Sequence, residues 1–178
     1  MTDRTELLAE IKAKAVIYAP VTLSSGQRAD WYIDLRRVLL DGHAARLAGR
    51  VMLELTGDLD FGAVGGLTLG ADPVATAMMH AASEQGRPLN SFVVRKEGKA
   101  HGLQRRIEGP EVAGVRVLAV EDTSTTGNSV LTAVDALTEA GAEVVGVAVV
   151  VDRGARAAVD RRGLPYLAAY ELAELGLS

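Results

Sequence analysis

The stretch from Val144 to Val151 is almost wholly apolar and rich in β-branched residues. Such a run fits a central strand covered on both faces, since a strand with one wet face would alternate apolar and polar side chains. A strand buried in this way needs neighbouring strands beside it and helices above and below. Phe61 to Val64, Ser91 to Arg95, Val115 to Val120 and residues 166 to 170 read as those further strands. Helix signals lie between them: Asp72-Pro73 capping and starting a helix to about Gln85, Ser129 to Ala140 closed by Gly141, and a segment near 155 to 162. The alternation predicts an α/β fold, a Rossmann-like parallel sheet with right-handed crossovers and helices on both faces. Ligands of such sheets bind at the carboxyl ends of the strands.

Upstream the pattern is different. Leu7, Leu8, Ile11 and Ala15 share one face of a helix over residues 4 to 17. Val21 to Leu23 and Trp31 to Leu35 flank the turn-like Ser24-Ser25-Gly26-Gln27, which predicts a short hairpin with Trp31 as its packing anchor. Leu47, Val51, Met52 and Leu55 mark an amphipathic helix ended by Gly57. The expectation is a single domain over residues 1–178, with 1–40 forming a helix-and-hairpin hood and 41–178 the core.

Composition narrows the function. The chain has no cysteine, so disulfides and thiolate metal sites are excluded. Its histidines (His43, His80, His101) are too scattered for a histidine-rich zinc site. No apolar run approaches the roughly 20 residues of a membrane helix. The first residues, MTDRTELLAEIK, carry no signal-peptide core, so a soluble cytoplasmic protein is the expectation. A net charge of −4 argues against broad nucleic-acid binding, which depends on neutralising many phosphates. A small anion needs only a local cluster of donors.

The segment Val117 to Ser129 holds such a cluster. An apolar strand runs into Glu121 and Asp122, then Thr123, Ser124, Thr125, Thr126, Gly127 and Asn128, with a helix expected from Ser129. Backbone N–H groups at the helix start, with the hydroxyls of Thr125, Thr126 and Ser129, can cradle a phosphate. Two acids beside a phosphate repel it, so they must face something else, such as ribose hydroxyls or a magnesium ion. Phosphate at one end and a carboxylate-bound diol at the other describe a ribose 5-phosphate. No lysine follows the glycine, which excludes a Walker-type loop. A capped turn with solvated acids is the plainer alternative.

A second cluster, Arg95-Lys96-Glu97-Gly98-Lys99-Ala100-His101-Gly102, puts cations in a glycine-flanked loop of an otherwise acidic protein. Cations placed where a leaving pyrophosphate gains charge favour the transition state over the ground state. Read alone, the same run is a solvated charged loop. Arg153, after the last long apolar strand, can bind a planar carboxylate through two hydrogen bonds, or form a surface ion pair with Asp152 or Asp160.

Together these residues resemble a known family. Val117 to Ser129 is similar to the phosphoribosyl pyrophosphate (PRPP) signature of the type I phosphoribosyltransferases, with Glu121 where Asp is usual. The basic loop resembles the mobile catalytic loop of the orotate phosphoribosyltransferases: Arg-Lys, two residues, Lys, one residue, His-Gly. Every one of those positions matches. Ser25-Gly26, Tyr32 and Asp34 are similar to the family's N-terminal motif, with Ala29 in place of a frequent serine and Ser24 in place of a frequent lysine. Gly65 to Pro73 corresponds to the loop facing pyrophosphate, with Thr68 or Leu69 where some members carry lysine.

The resemblance implies the type I phosphoribosyltransferase fold and transfer of ribose 5-phosphate from PRPP to orotate, in the synthesis of pyrimidine nucleotides. It implies PRPP contacts from Arg95, Lys96, Lys99 and His101, which also form the catalytic set, and from Glu121 through Ser129. Thr125 and Arg153 would contact orotate, and Mg2+ would arrive on PRPP rather than in a site made by the protein alone. It further implies a homodimer, Arg95 and Lys99 reaching the neighbour's site while Lys96 and His101 serve their own. Two rivals stand beside it: a phosphoribosyltransferase for another base, and a non-catalytic PRPP-sensing regulator that binds RNA or DNA.

Overall fold

A computed structural model describes residues 1–22, 28–96 and 106–177. The chain opens with α1 (Asp3–Glu10), whose first turn is capped by the Thr2 hydroxyl accepting from the Thr5 N–H at 3.2 Å. One π-helical turn (Ile11–Ala15) follows, then an antiparallel pair, β1 (Val16–Thr22) and β2 (Arg28–Ile33). The helix expected to residue 17 therefore stops at Ala15. Val16, Ile17 and Tyr18 join the hairpin instead, as suits β-branched and aromatic side chains. Pro20 sits in a break of register between Tyr18 and Val21, where a missing N–H does no harm. Leu7, Ile11 and Ala15 are buried as their spacing predicts.

A short helix, α2 (Arg36–Leu39), leads into α3 (Gly42–Leu55), whose cap is the Asp41 carboxylate accepting from the His43 and Ala44 N–H groups. The core then runs β3 (Ala63–Leu67), α4 (Ala71–Glu84), β4 (Asn90–Val94), β5 (Ile107–Glu108), β6 (Arg116–Ser124), α5 (Asn128–Glu139), β7 (Glu143–Asp152), α6 (Arg156–Asp160) and β8 (Tyr166–Glu171). A 3-10 turn, Leu172–Leu175, follows β8. The main sheet has the order β5-β4-β3-β6-β7-β8, parallel except for the short edge strand β5. The expected helix near 155 to 162 is shorter, and β5 was not foreseen because its two residues carry no periodicity.

Alternate residues of the central strands belong to different cores. Val64, Leu118, Val120, Ala148 and Val150 pack with α1, α3 and α4, while Ala63, Val117, Ala119, Val147 and Val149 pack with α5 and α6. This period of two confirms helices on both faces and explains why β7 had to be apolar from Val144 to Val151. β3 lies between β4 and β6, so the chain goes to one side of β3 and then returns to the other. The crevice at such a switch opens beyond the carboxyl ends of β3 and β6.

Candidate active site

That crevice holds a cavity of about 370 Å³ lined by Asp34, Arg36, Thr68, Gly70, Lys96, Glu121, Asp122 and Ser129, among others. Four separate segments meet there. β6 is longer than the sequence indicates: Glu121, Asp122, Thr123 and Ser124 belong to the strand, paired with β7 as far as Asp152, rather than to a turn. Strand geometry directs successive side chains to opposite sides. The turn proper is Thr125, Thr126 and Gly127, and it is open where it must be: Thr125, Thr126, Asn128 and Ser129 are exposed, Gly127 buried. Gly127 has φ +81° as the N-terminal cap of α5, a left-handed conformation that costs a side chain energy. The Asn128 N–H donates to the Thr126 hydroxyl at 3.3 Å. The helix start, with no side-chain cap of its own on Gly127, presents the N–H dipoles an anion needs.

The acids behave as a pair. Glu121 is only 5% exposed, and burial, then the charge of Asp122, raises its carboxyl well above the ordinary range. Burial likewise raises Asp122, whose Oδ1 accepts from the Thr123 N–H at 2.6 Å. Across the cavity the Arg36 guanidinium donates to Asp34 at 2.7 Å and faces the charge of Asp122. Gly70 allows the loop after β3 to approach: a Cβ there would stand 2.2 Å from Glu121 Oε1 and 2.7 Å from Asp122 Oδ1. In the same loop the Thr68 hydroxyl donates to Asp72 Oδ2 at 2.7 Å, and Asp72 Oδ1 is buried without a partner among the described residues. Asp72 is therefore not the cap of α4 that its sequence position indicates. Gly70 takes that place, and Asp72 lies within the first turn beside Pro73, which needs no N–H there.

Residues 44–164 match the phosphoribosyl transferase domain. The chain is 65% identical over 177 residues to the orotate phosphoribosyltransferase of Streptomyces avermitilis, covering 98% of this chain and 97% of that protein. This chain belongs to the orotate phosphoribosyltransferase family. The crystal structure of the Mycobacterium tuberculosis orotate phosphoribosyltransferase with Fe(III) dicitrate superposes with a TM-score of 0.90 at 59% identity, covering 98% of this chain and 99% of that one. The same enzyme crystallised with PRPP gives 0.86 at 55% identity, covering 98% and 99%.

Within this orotate phosphoribosyltransferase frame, the structure gathers Lys96, Glu121, Asp122, Thr123 and Ser129 around one cavity, with Thr125, Thr126, Gly127 and Asn128 on the adjoining turn. Ser124 is buried, and its carbonyl accepts from the Arg153 N–H at 2.9 Å, which ties the end of β7 to the turn at Thr125, Thr126 and Gly127. Arg153 forms no ion pair with Asp152 or Asp160 among the described residues. Its guanidinium stands 5.7 Å from the Trp31 ring centroid, and its Nε is buried without a hydrogen-bond partner among the described residues. Trp31 packs on the core as an anchor should, yet it also faces this arginine. Arg95 points elsewhere, toward Glu108 at 3.4 Å. Lys99 and His101 lie outside the described residues, as do Ser24, Ser25 and Gly26. Sequence reasoning missed Arg36, for which a cation two residues after the motif acid Asp34 was the available signal. It placed Gly70 in the loop facing pyrophosphate, but the approach of that glycine to the acids shows only in three dimensions.

Among the described residues, no helix is long and apolar enough to cross a membrane.

Proposed function

We propose that this chain transfers ribose 5-phosphate from PRPP to orotate, giving orotidine 5′-monophosphate and pyrophosphate. The observation that carries this reading is the join between β6 and β7. One strand end presents an acid pair and a hydroxyl-rich turn at a helix start, and the other, bonded to it through Ser124, presents an arginine with an unused buried donor. Thr125 to Ser129 hold the 5-phosphate, and Glu121 and Asp122 accept from the ribose hydroxyls. Arg153, with Thr125, orients the orotate carboxylate and ring. Orotate N1 attacks C1′ as the bond to pyrophosphate breaks, through a transition state of oxocarbenium character, and the N1 proton passes to the leaving pyrophosphate or to water. Lys99, Arg95, Lys96 and His101 meet the charge that develops on the leaving group.

Magnesium fits this donor set as a passenger of PRPP. No cluster of three metal-binding side chains exists among the described residues, and Asp72 Oδ1, buried without a hydrogen-bond partner among them, is the oxygen beside the acids left for a hard cation that keeps most of its waters. When bound, it would neutralise pyrophosphate charge. A homodimer with shared sites completes the reading. Exposed Leu40 and Leu69 rim an apolar cavity of about 620 Å³ between α2, α3 and α4, next to the acid site, and a second copy would cover it. A cytoplasmic location goes with substrates that are charged and do not cross bilayers unaided.

The test is turnover. Purified protein mixed with PRPP, magnesium and orotate should consume orotate absorbance, and should ignore uracil, hypoxanthine and adenine. Binding of PRPP without turnover would sink the enzymatic reading in favour of a sensing module, and turnover of another base would sink the assignment of Arg153.

A further inference from the structure

Trp31 stands against the Arg153 guanidinium, while Asp152 and Tyr166 fix the turn that carries it. Asp152, 5% exposed, turns its Oδ1 into the chain: it accepts from the Gly154 N–H at 2.9 Å, the Ala155 N–H at 3.0 Å and the Tyr166 hydroxyl at 2.8 Å. Three donors on one oxygen lock the turn that carries Arg153, since each bond fixes a different atom around it. Tyr166 is itself clamped. Its carbonyl accepts from Arg156 at 3.0 Å, whose guanidinium covers its ring at 5.0 Å, and its hydroxyl is held protonated by burial and by the bond to Asp152. On the other side the Trp31 ring, delivered by β2, closes over the guanidinium. A long flexible side chain loses much rotamer entropy on binding a ligand, and prior confinement removes that cost.

We infer that Trp31, Asp152 and Tyr166 are positioning residues for base recognition, holding Arg153 ready for the orotate carboxylate and so setting orotate affinity independently of PRPP affinity. This rests on the orotate reading above. It assigns the hairpin a second task, because Trp31 links the hood to the specificity arginine at the far end of β7.

Steady-state kinetics on the full-length protein, with orotate and PRPP varied separately, tests it. Tyr166→Phe keeps the packing and deletes one bond, and should raise KM for orotate about five- to tenfold while kcat and KM for PRPP stay within about twofold. Asp152→Ala should do the same more strongly, and Asp152→Asn, which keeps an oxygen acceptor, should restore most of the loss. Equal changes in both KM values, or an Asp152→Asn no better than Asp152→Ala, would overturn the inference. A second measurement needs no variant that must fold. Trp31 is the only tryptophan, so its fluorescence should change when orotidine 5′-monophosphate binds the wild-type protein. An unchanged spectrum at saturation would exclude Trp31 from the cradle. Wild-type protein that turns over no orotate would overturn the base reading and this inference together, whereas normal turnover with indifferent variants would overturn the inference alone.

Discussion

The end of β6 and the end of β7 lie side by side, but they are built differently. At β6 the acids, hydroxyls and helix start follow one another from Glu121 to Ser129, so a single stretch of chain makes both surfaces that the proposed function gives to ribose and phosphate. At β7 the one cation is Arg153, and its support comes from residues 31, 124, 152 and 166. A phosphate can be met by backbone N–H groups, which any suitably bent segment provides. A planar carboxylate on a flat ring demands one guanidinium in one place, and that takes scattered packing. The first end is a matter of local conformation and the second of tertiary assembly.

The largest effect should come from a residue of neither end. If both ends chiefly bind the ground state, stabilisation of the leaving pyrophosphate falls to the basic loop. Lys99→Ala should then lower kcat by about 10²- to 10³-fold, the scale for losing one group aimed at transition-state charge, with little change in PRPP affinity. A loss of kcat/KM arising wholly from weaker PRPP binding would show that the loop belongs with the phosphate turn after all. Mixing Lys99→Ala with Arg153→Ala subunits sharpens the point. With Lys99 acting across the dimer, hybrids should regain activity through one intact site, and mixtures no more active than their parents would contradict a shared site.

The same contrast explains what the sequence made legible. β7 was evident because the six consecutive buried positions from Gly146 to Val151 leave no room for a polar residue, and the hydroxyl-rich turn because its chemistry is contiguous. The extent of β6 was not, since Glu121 to Ser124 read as turn formers locally and are held extended only by pairing with β7 as far as Asp152. Asp72 looked like a cap, and the backbone started α4 one residue before it. Trp31 read as an anchor, correctly as far as packing goes, but nothing in the hairpin's pattern could place it against an arginine 122 positions later. Asp152 read as a possible ion-pair partner of Arg153 and residue 166 as the start of a strand, but the bond between Tyr166 and Asp152 gave no signal, because a hydrogen bond between strands has no period.

A smaller effect separates the two ends directly. Gly127→Ala places a Cβ on a residue with φ +81° and 3.1 Å from the Ala158 Cβ. Left-handed strain of about 1–2 kcal/mol should raise KM for PRPP roughly tenfold. KM for orotate should hardly move, and a comparable rise in it would mean that the Ser124–Arg153 bond transmits distortion from one strand end to the other.

The smallest effect concerns the acid pair as a proton store. Burial raises both carboxyls, so between the ordinary carboxylate range and their folded values the native chain keeps a proton that the unfolded chain has released. The folded state then binds more protons than the unfolded one, and stability must fall as pH rises through that window. Glu121→Gln cannot lose that proton, which should flatten the slope. For a domain of this size about 1 kcal/mol corresponds to roughly 2–4 °C in Tm, so thermal melts of both proteins from about pH 6 to about pH 9 would resolve it. Parallel curves would mean that Glu121 is ionised in the empty site and that its repulsion from Asp122 is relieved by Arg36. A flattened curve for the variant would mean that the acids stay protonated until ribose hydroxyls or a PRPP-borne cation take the proton's place, so that substrate binding at the β6 end, unlike binding at the β7 end, releases a proton to solvent.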